Sequence, residues 1–125
     1  MRKVILLFAV SMALSAGVRS AEELSVDLMQ SIDDTNKSLS SNIALSNKQA
    51  ATADAKELTQ MFAQVETFFD HKGDAKNAVD LAKQSKDLSA DIVGYVAANN
   101  FESATTAATT LSRTCRTCHT FYKKE

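Results

Sequence analysis

The sequence predicts an all-α domain, folded as an antiparallel up-down-up-down four-helix bundle. Apolar residues recur at three- and four-residue spacing in four separate segments, which is the pattern of amphipathic helices. The chain contains no proline and three glycines, so few positions interrupt a helix. Short breaks separate the segments, and short connections between helices favour antiparallel neighbours.

The first 21 residues are predicted to be a signal peptide that is removed. Arg2 and Lys3 give a basic start, an apolar run covers residues 4–14, and small residues precede Ala21. The apolar run is shorter than the roughly 20 residues that a membrane-spanning helix needs. The sequence therefore predicts an exported domain over residues 22–125, with an uncleaved membrane anchor as the alternative.

Removal of this peptide leaves an acidic chain. It takes away three of the fourteen basic residues and none of the fifteen acidic ones, so the net charge changes from −1 to about −4. An acidic surface argues against nucleic acid and anionic lipid as partners. It would suit a basic protein partner, although solubility alone would explain it equally well.

Each predicted helix has its own apolar stripe, which we interpret as core. Between the second and third helices, Gly73 is expected to end one helix and Asp74 to cap the next. Asn99 and Asn100 mark the break before the last helix. The four predicted helices cover residues 22–45, 52–69, 75–98 and 101–124.

The run Cys115-Arg116-Thr117-Cys118-His119 matches the pattern of c-type haem attachment. Each thiol would add across one vinyl group of the porphyrin, and His119 would ligate the iron. On a helix, Cys118 and His119 lie at about −60° and +40° from Cys115. The three side chains therefore share one face of the fourth helix, and this face is predicted to point into the bundle.

Three other interpretations of the two cysteines are open. A structural disulfide is the default for two cysteines in an exported protein, but it would not need His119. A zinc site would need two further ligands, and outside the motif only His71 is available as a nitrogen ligand. A thioredoxin-like redox pair requires alternating strands and helices, and the sequence predicts no convincing strand.

The C-terminal region resembles that of class II c-type cytochromes, the family of cytochrome c-prime and its low-spin relatives. In that family the haem motif is followed by two residues, an aromatic residue and a basic residue; Tyr122 and Lys123 hold those last two positions here. The resemblance covers roughly residues 22–125. It implies one covalently attached haem c at the C-terminal end of helix four, a periplasmic location in a Gram-negative bacterium, and pairing into a homodimer.

The resemblance also implies that a residue of helix one decides the function. Low-spin members, which carry electrons, have a methionine ligand there; high-spin members have an apolar residue and bind nitric oxide or carbon monoxide. Met29 lies about 10 Å into helix one, and His119 about 9 Å from the end of helix four. Leu28-Met29-Gln30 is similar to the ligand region of low-spin members, although Ser25 stands where the family usually has arginine. We expect Met29 to be the second axial ligand; a core-filling methionine is the alternative.

Other residues near the same end are candidates for the haem pocket. Phe68 and Phe69 end the predicted second helix, and at least one is expected to pack on the porphyrin. Tyr122 is expected near the haem, and Lys123 is a candidate partner for a propionate. His71, in the turn after helix two, is the weaker candidate for a ligand and is better interpreted as a surface histidine.

The sequence therefore predicts a periplasmic electron carrier that exchanges electrons with protein partners and has no stable membrane anchor. No acid–base pair or nucleophile set is recognisable, so an enzyme is not expected. Two alternatives remain: a five-coordinate haem protein that binds nitric oxide or carbon monoxide, and a haem-free bundle with one disulfide.

Overall fold

The computed structural model describes residues 26–122, which form four α-helices and no strand. This confirms the all-α prediction, and the arrangement is consistent with a four-helix bundle. No helix in this part of the chain is long and apolar enough to cross a membrane. The predicted signal peptide and Lys123 lie outside the described residues. The helices are α1 (Val26–Ala44), α2 (Lys48–Lys72), α3 (Lys76–Ala97) and α4 (Phe101–Tyr122).

The four helices enclose one apolar core, but they pack together unequally. Contacts are most extensive between α2 and α3, and α1 contacts both α2 and α4. The contact between α1 and α4 is the least extensive of these, because α1 buries few of its side chains. The largest side chains that are fully buried in the core are Leu39, Leu58, Ile92, Leu111 and Val96.

Helix α2 is longer than the apolar pattern predicts at both ends. It begins at Lys48 because the Asn47 side chain accepts a hydrogen bond from the backbone N–H of Ala50 and caps the helix. Its last residue is Lys72, and Gly73 follows as the cap. The left-handed backbone of Gly73 (φ 89°) lets its N–H donate to the carbonyl of Phe69. The prediction that Gly73 closes this helix is confirmed.

The prediction that Asp74 caps the third helix is wrong. The residue at the cap position is Ala75, which has no side-chain hydrogen bond to the helix. Ala75 is buried in the core, so the chain turns one residue later than expected and Asp74 stays exposed. At the start of α4, by contrast, the Asn100 side chain accepts from the N–H of Ser103, which confirms the break predicted there.

The α1–α2 contact contains a cluster of polar side chains centred on Asp54. One carboxylate oxygen of Asp54 accepts hydrogen bonds from Ser38 Oγ at 2.7 Å and from Asn42 Nδ2 at 2.8 Å. Hydrogen bonds to an ionised acceptor are stronger than neutral ones. This cluster therefore fixes the C-terminal half of α1 to α2.

Candidate functional site

A cavity of about 530 Å³ opens among the four helices. Its volume lies within the roughly 300–1,000 Å³ that is typical of ligand-binding pockets, and its lining is mostly apolar, as such pockets are. Every helix contributes: Val26, Met29, Ile32, Asp33 and Asn36 from α1; Phe62, Val65 and Phe69 from α2; Leu81, Ala82 and Ser85 from α3; and Cys115, Cys118 and His119 from α4.

The wall formed by α4 carries the three residues of the motif. Cys115, Cys118 and His119 all line the cavity, as their positions around the helix predict. Both cysteines are half-buried free thiols, whereas His119, in the last turn of α4, is exposed. The site thus presents two thiols and one imidazole to the same apolar space.

Burial controls the ionisation of the two thiols. It raises the pKa of Cys115 to about 11, with smaller contributions in the same direction from Cys118 and Asp33. Burial raises the pKa of Cys118 as well. Both groups are therefore protonated at neutral pH, and neither has the lowered pKa that marks a cysteine activated as a thiolate nucleophile.

Met29 lines the cavity from α1, which brings it into the same cavity as His119. Its side chain is half-buried and packs against the core. Asp33 and Asn36 follow Met29 by four and seven residues on the same helix face and also line the cavity. Sequence reasoning did not identify these two, although their helical spacing from Met29 was a signal that would have found them.

The aromatic residues at the end of α2 have different positions. Phe69 is buried and lines the cavity, whereas Phe68 is half-buried and is not part of the lining. The ring of Phe68 packs edge-to-face on Phe69, with ring centroids 5.1 Å apart. Phe62 and Val65 belong to the apolar stripe that the sequence indicated, but the sequence did not show that this stripe borders a cavity.

Other candidates are not brought to the cavity. His71 is exposed in the last turn of α2 and is absent from the lining. The other methionine among the described residues, Met61, is buried in the core and is not part of the lining. Tyr122 ends α4, and its side chain is outside what the structure describes; Lys123 lies beyond the described residues.

The side chain of Asn36 lines the cavity and also contacts α4. Asn36 Nδ2 donates to Ser112 Oγ over 3.3 Å, and Asn36 Oδ1 is buried without a hydrogen-bond partner. An unsatisfied buried polar atom costs about 1–3 kcal/mol. A separate groove of about 340 Å³ is also lined by residues of α1 and α4, among them Ser40, Ser112 and Arg116.

Within residues 26–122, no group of three or more histidine, cysteine, aspartate or glutamate side chains is arranged to hold a metal ion by itself. Comparison of the chain with known protein families, with curated proteins and with solved structures gives no match.

Proposed function

We propose that this chain is a c-type cytochrome that carries one covalently attached haem and transfers electrons. One observation supports this proposal above the others. The two free thiols and the imidazole of the Cys115–His119 motif line one large apolar cavity, and Met29 lines the same cavity from another helix.

The residues present fit a haem. The cavity is large, and its lining is apolar apart from a few polar groups, which suits a macrocycle with apolar faces. Cys115 and Cys118 both reach this space as free thiols, which covalent attachment requires. Phe69, buried at the cavity wall, offers a ring that packs against a porphyrin.

Each of these residues has a proposed role. Haem, when bound, supplies one-electron redox chemistry at its iron. Cys115 and Cys118 would hold the group through two thioether bonds, and His119 would ligate the iron. Met29 would offer its thioether sulfur to the iron as the second protein ligand, and a histidine and methionine pair is the ligand set that raises the potential in cytochromes. Phe68 would support the ring of Phe69 from outside the cavity. Tyr122 and Lys123 remain candidates for the haem pocket from the sequence.

An antiparallel bundle with the haem near the C-terminal end of α4 is part of the proposal. Two pairings support it. Met29 near the start of α1 shares the cavity with His119 near the end of α4, and Asn36 further along α1 contacts Ser112 further back on α4. These two pairings link later positions of α1 with earlier positions of α4, which is the order that antiparallel helices would give.

The setting of this function follows from the sequence. The basic, apolar and small-residue order of the first 21 residues supports export, and covalent haem attachment in bacteria takes place outside the cytoplasm. We therefore propose a periplasmic carrier without catalytic residues. Its partners would be redox proteins, with a second copy of the chain as a candidate for pairing.

Optical spectra test the proposal and separate an electron carrier from a gas-binding protein. The chain is produced with cytochrome maturation factors and measured oxidised, reduced, and reduced with carbon monoxide. We expect a low-spin spectrum that carbon monoxide leaves unchanged. A high-spin spectrum that shifts with carbon monoxide would instead support the five-coordinate gas-binding alternative.

Two leucine variants locate the second ligand. Met29→Leu is expected to give a high-spin spectrum that responds to carbon monoxide, because leucine has no sulfur to offer the iron. Met61→Leu is the matched control, since Met61 is buried in the core away from the cavity lining. If Met29→Leu retains the spectrum of the unsubstituted protein, Met29 is a packing residue and not a ligand.

A further inference from the structure

Among the four main contacts between helices, the one between α1 and α4 is the least extensive. Residues of both helices line the cavity, and residues of both helices also line the separate groove beside Arg116. The side chains that meet there include Asn36 and Ser112, and Asn36 Oδ1 is left without a partner in a buried position.

Turning the Asn36 amide over does not repair this contact. In the turned orientation the Ser112 hydroxyl would donate to Oδ1, but the NH₂ group would then occupy the buried position that lacks a partner. In either orientation the hydrogen bond gained is offset by a polar atom left unsatisfied. The Asn36–Ser112 hydrogen bond therefore holds α1 against α4 only weakly. We call this contact between Asn36 of α1 and Ser112 of α4 the seam.

The two halves of α1 are held differently. Beyond Asn36, its C-terminal half is fixed to α2 by the two hydrogen bonds to Asp54 and buries Leu39 and Ile43. Before Asn36, Ile32 is the buried apolar residue of the described N-terminal half, and Leu28 and Met29 are half-buried against the core. The half of α1 that carries Met29 is thus the part with the weaker hold on the rest of the protein.

We propose that Asn36 is a positioning residue whose contact with Ser112 sets how readily the Met29-bearing half of α1 moves away from the cavity. This inference rests on the proposed haem site, in which Met29 occupies an axial position. The strength of the seam then controls how fast an added ligand replaces Met29. Asn36 touches neither the iron nor the thioether bonds in this role and acts through the position of α1.

Hydrogen exchange tests the seam with or without haem. In the unsubstituted chain, the amides of residues 32–36 are expected to exchange faster than those of residues 39–43. Both stretches lie inside α1, beyond its first turn, so fraying at the helix end does not account for the difference. Equal protection of the two stretches would overturn the proposal, whatever the state of the haem.

Ligand replacement tests the link to Met29, with imidazole added to the oxidised haem-loaded protein. The double substitution Asn36→Leu with Ser112→Ala replaces both polar partners by apolar groups, which closes the seam without an unsatisfied atom. It is expected to slow imidazole association by roughly threefold to tenfold, the factor that one buried hydrogen bond contributes. Asn36→Ala removes the side chain that fills the α1–α4 contact and leaves space there, so it is expected to accelerate association.

A control variant and the midpoint of unfolding separate this role of Asn36 from a purely structural one. Ser41→Ala, at an exposed position of α1, is expected to leave both the exchange pattern and imidazole association unchanged. A purely structural role would alter the midpoint of unfolding without altering imidazole association, and this result would overturn the proposal. A preparation that carries no covalent haem would refute the proposed function, while the exchange comparison would still decide whether the seam is weak.

Discussion

Met29 and His119 line one cavity, although they lie on the first and last helices of the chain. Neither residue indicates a site by itself, since methionine is a common core residue and His119 is an exposed histidine. The cavity between them contains no competing histidine among its described lining residues. This relationship places the Met29 thioether and the His119 imidazole in the same cavity as the two cysteines of the motif.

The core supplies a stability test that is independent of any cofactor. Leu39→Ala removes a fully buried side chain of α1 and is expected to lower the free energy of unfolding by about 2–5 kcal/mol. Leu45→Ala is the matched control, because Leu45 is 76% exposed and its loss is expected to change stability by about 0.5 kcal/mol or less. Urea titrations of both variants measure the difference; equal effects would contradict the described packing of α1.

Two glycines are expected to respond oppositely to the same substitution. Gly73→Ala puts a Cβ on a left-handed backbone and is expected to cost about 1 kcal/mol, although no atom lies near the added methyl. Gly94→Ala falls inside α3, also meets no neighbouring atom, and is expected to stabilise by roughly 0.5–1 kcal/mol. Thermal unfolding of the two variants measures both effects. A stabilised Gly73→Ala protein would show that α2 does not end in the left-handed turn described.

The Cys115 thiol makes a haem-free preparation sensitive to alkaline pH. Its pKa is raised from 9.0 to about 11 in the folded chain, so the folded state keeps a proton that the unfolded state loses. The stability that this provides is complete below about pH 9 and is lost as the pH rises through about 11, a change on the order of 2 kcal/mol. Denaturant titrations across this range measure it.

Two comparisons isolate the thiol in that experiment. Cys115→Ala removes the titrating group and is expected to reduce the alkaline decline in the free energy of unfolding. The smaller contribution of Cys118, whose pKa burial also raises, would remain. A haem-loaded protein should show no such decline, because a thioether carries no proton. A decline that survives in Cys115→Ala unchanged would assign the alkaline sensitivity to other groups.

Much of the fold could be predicted because the sequence signals are local. Apolar spacing located all four helices, and the glycine after α2 identified a left-handed turn. The errors lie where tertiary contacts decide. Ala75 is buried and takes the cap position of α3, so this helix begins one residue later than a cap at Asp74 would give. Asn47 caps α2, so this helix begins before the apolar segment that predicted it.

The site was predictable to a smaller extent. The cysteine motif places Cys115, Cys118 and His119 on one helix face by geometry alone, and the family resemblance suggested Met29. The cavity itself, and the roles of Asp33, Asn36 and Ser85 in lining it, depend on how the helices pack together. Phe68 and Phe69 could not be separated from sequence, because adjacent residues at a helix end differ in burial only through their neighbours.

The central claim is that Cys115 and Cys118 bind haem covalently, and the mass of the intact protein tests it most directly. The chain is produced with cytochrome maturation factors, unfolded in acid to release any non-covalent group, and weighed beside the variant in which both cysteines are alanine. We expect the unsubstituted protein to exceed the mass of its polypeptide by one haem and the variant to have the mass of its polypeptide alone. A protein of unmodified polypeptide mass, or one lighter by two hydrogens through a disulfide, would contradict it.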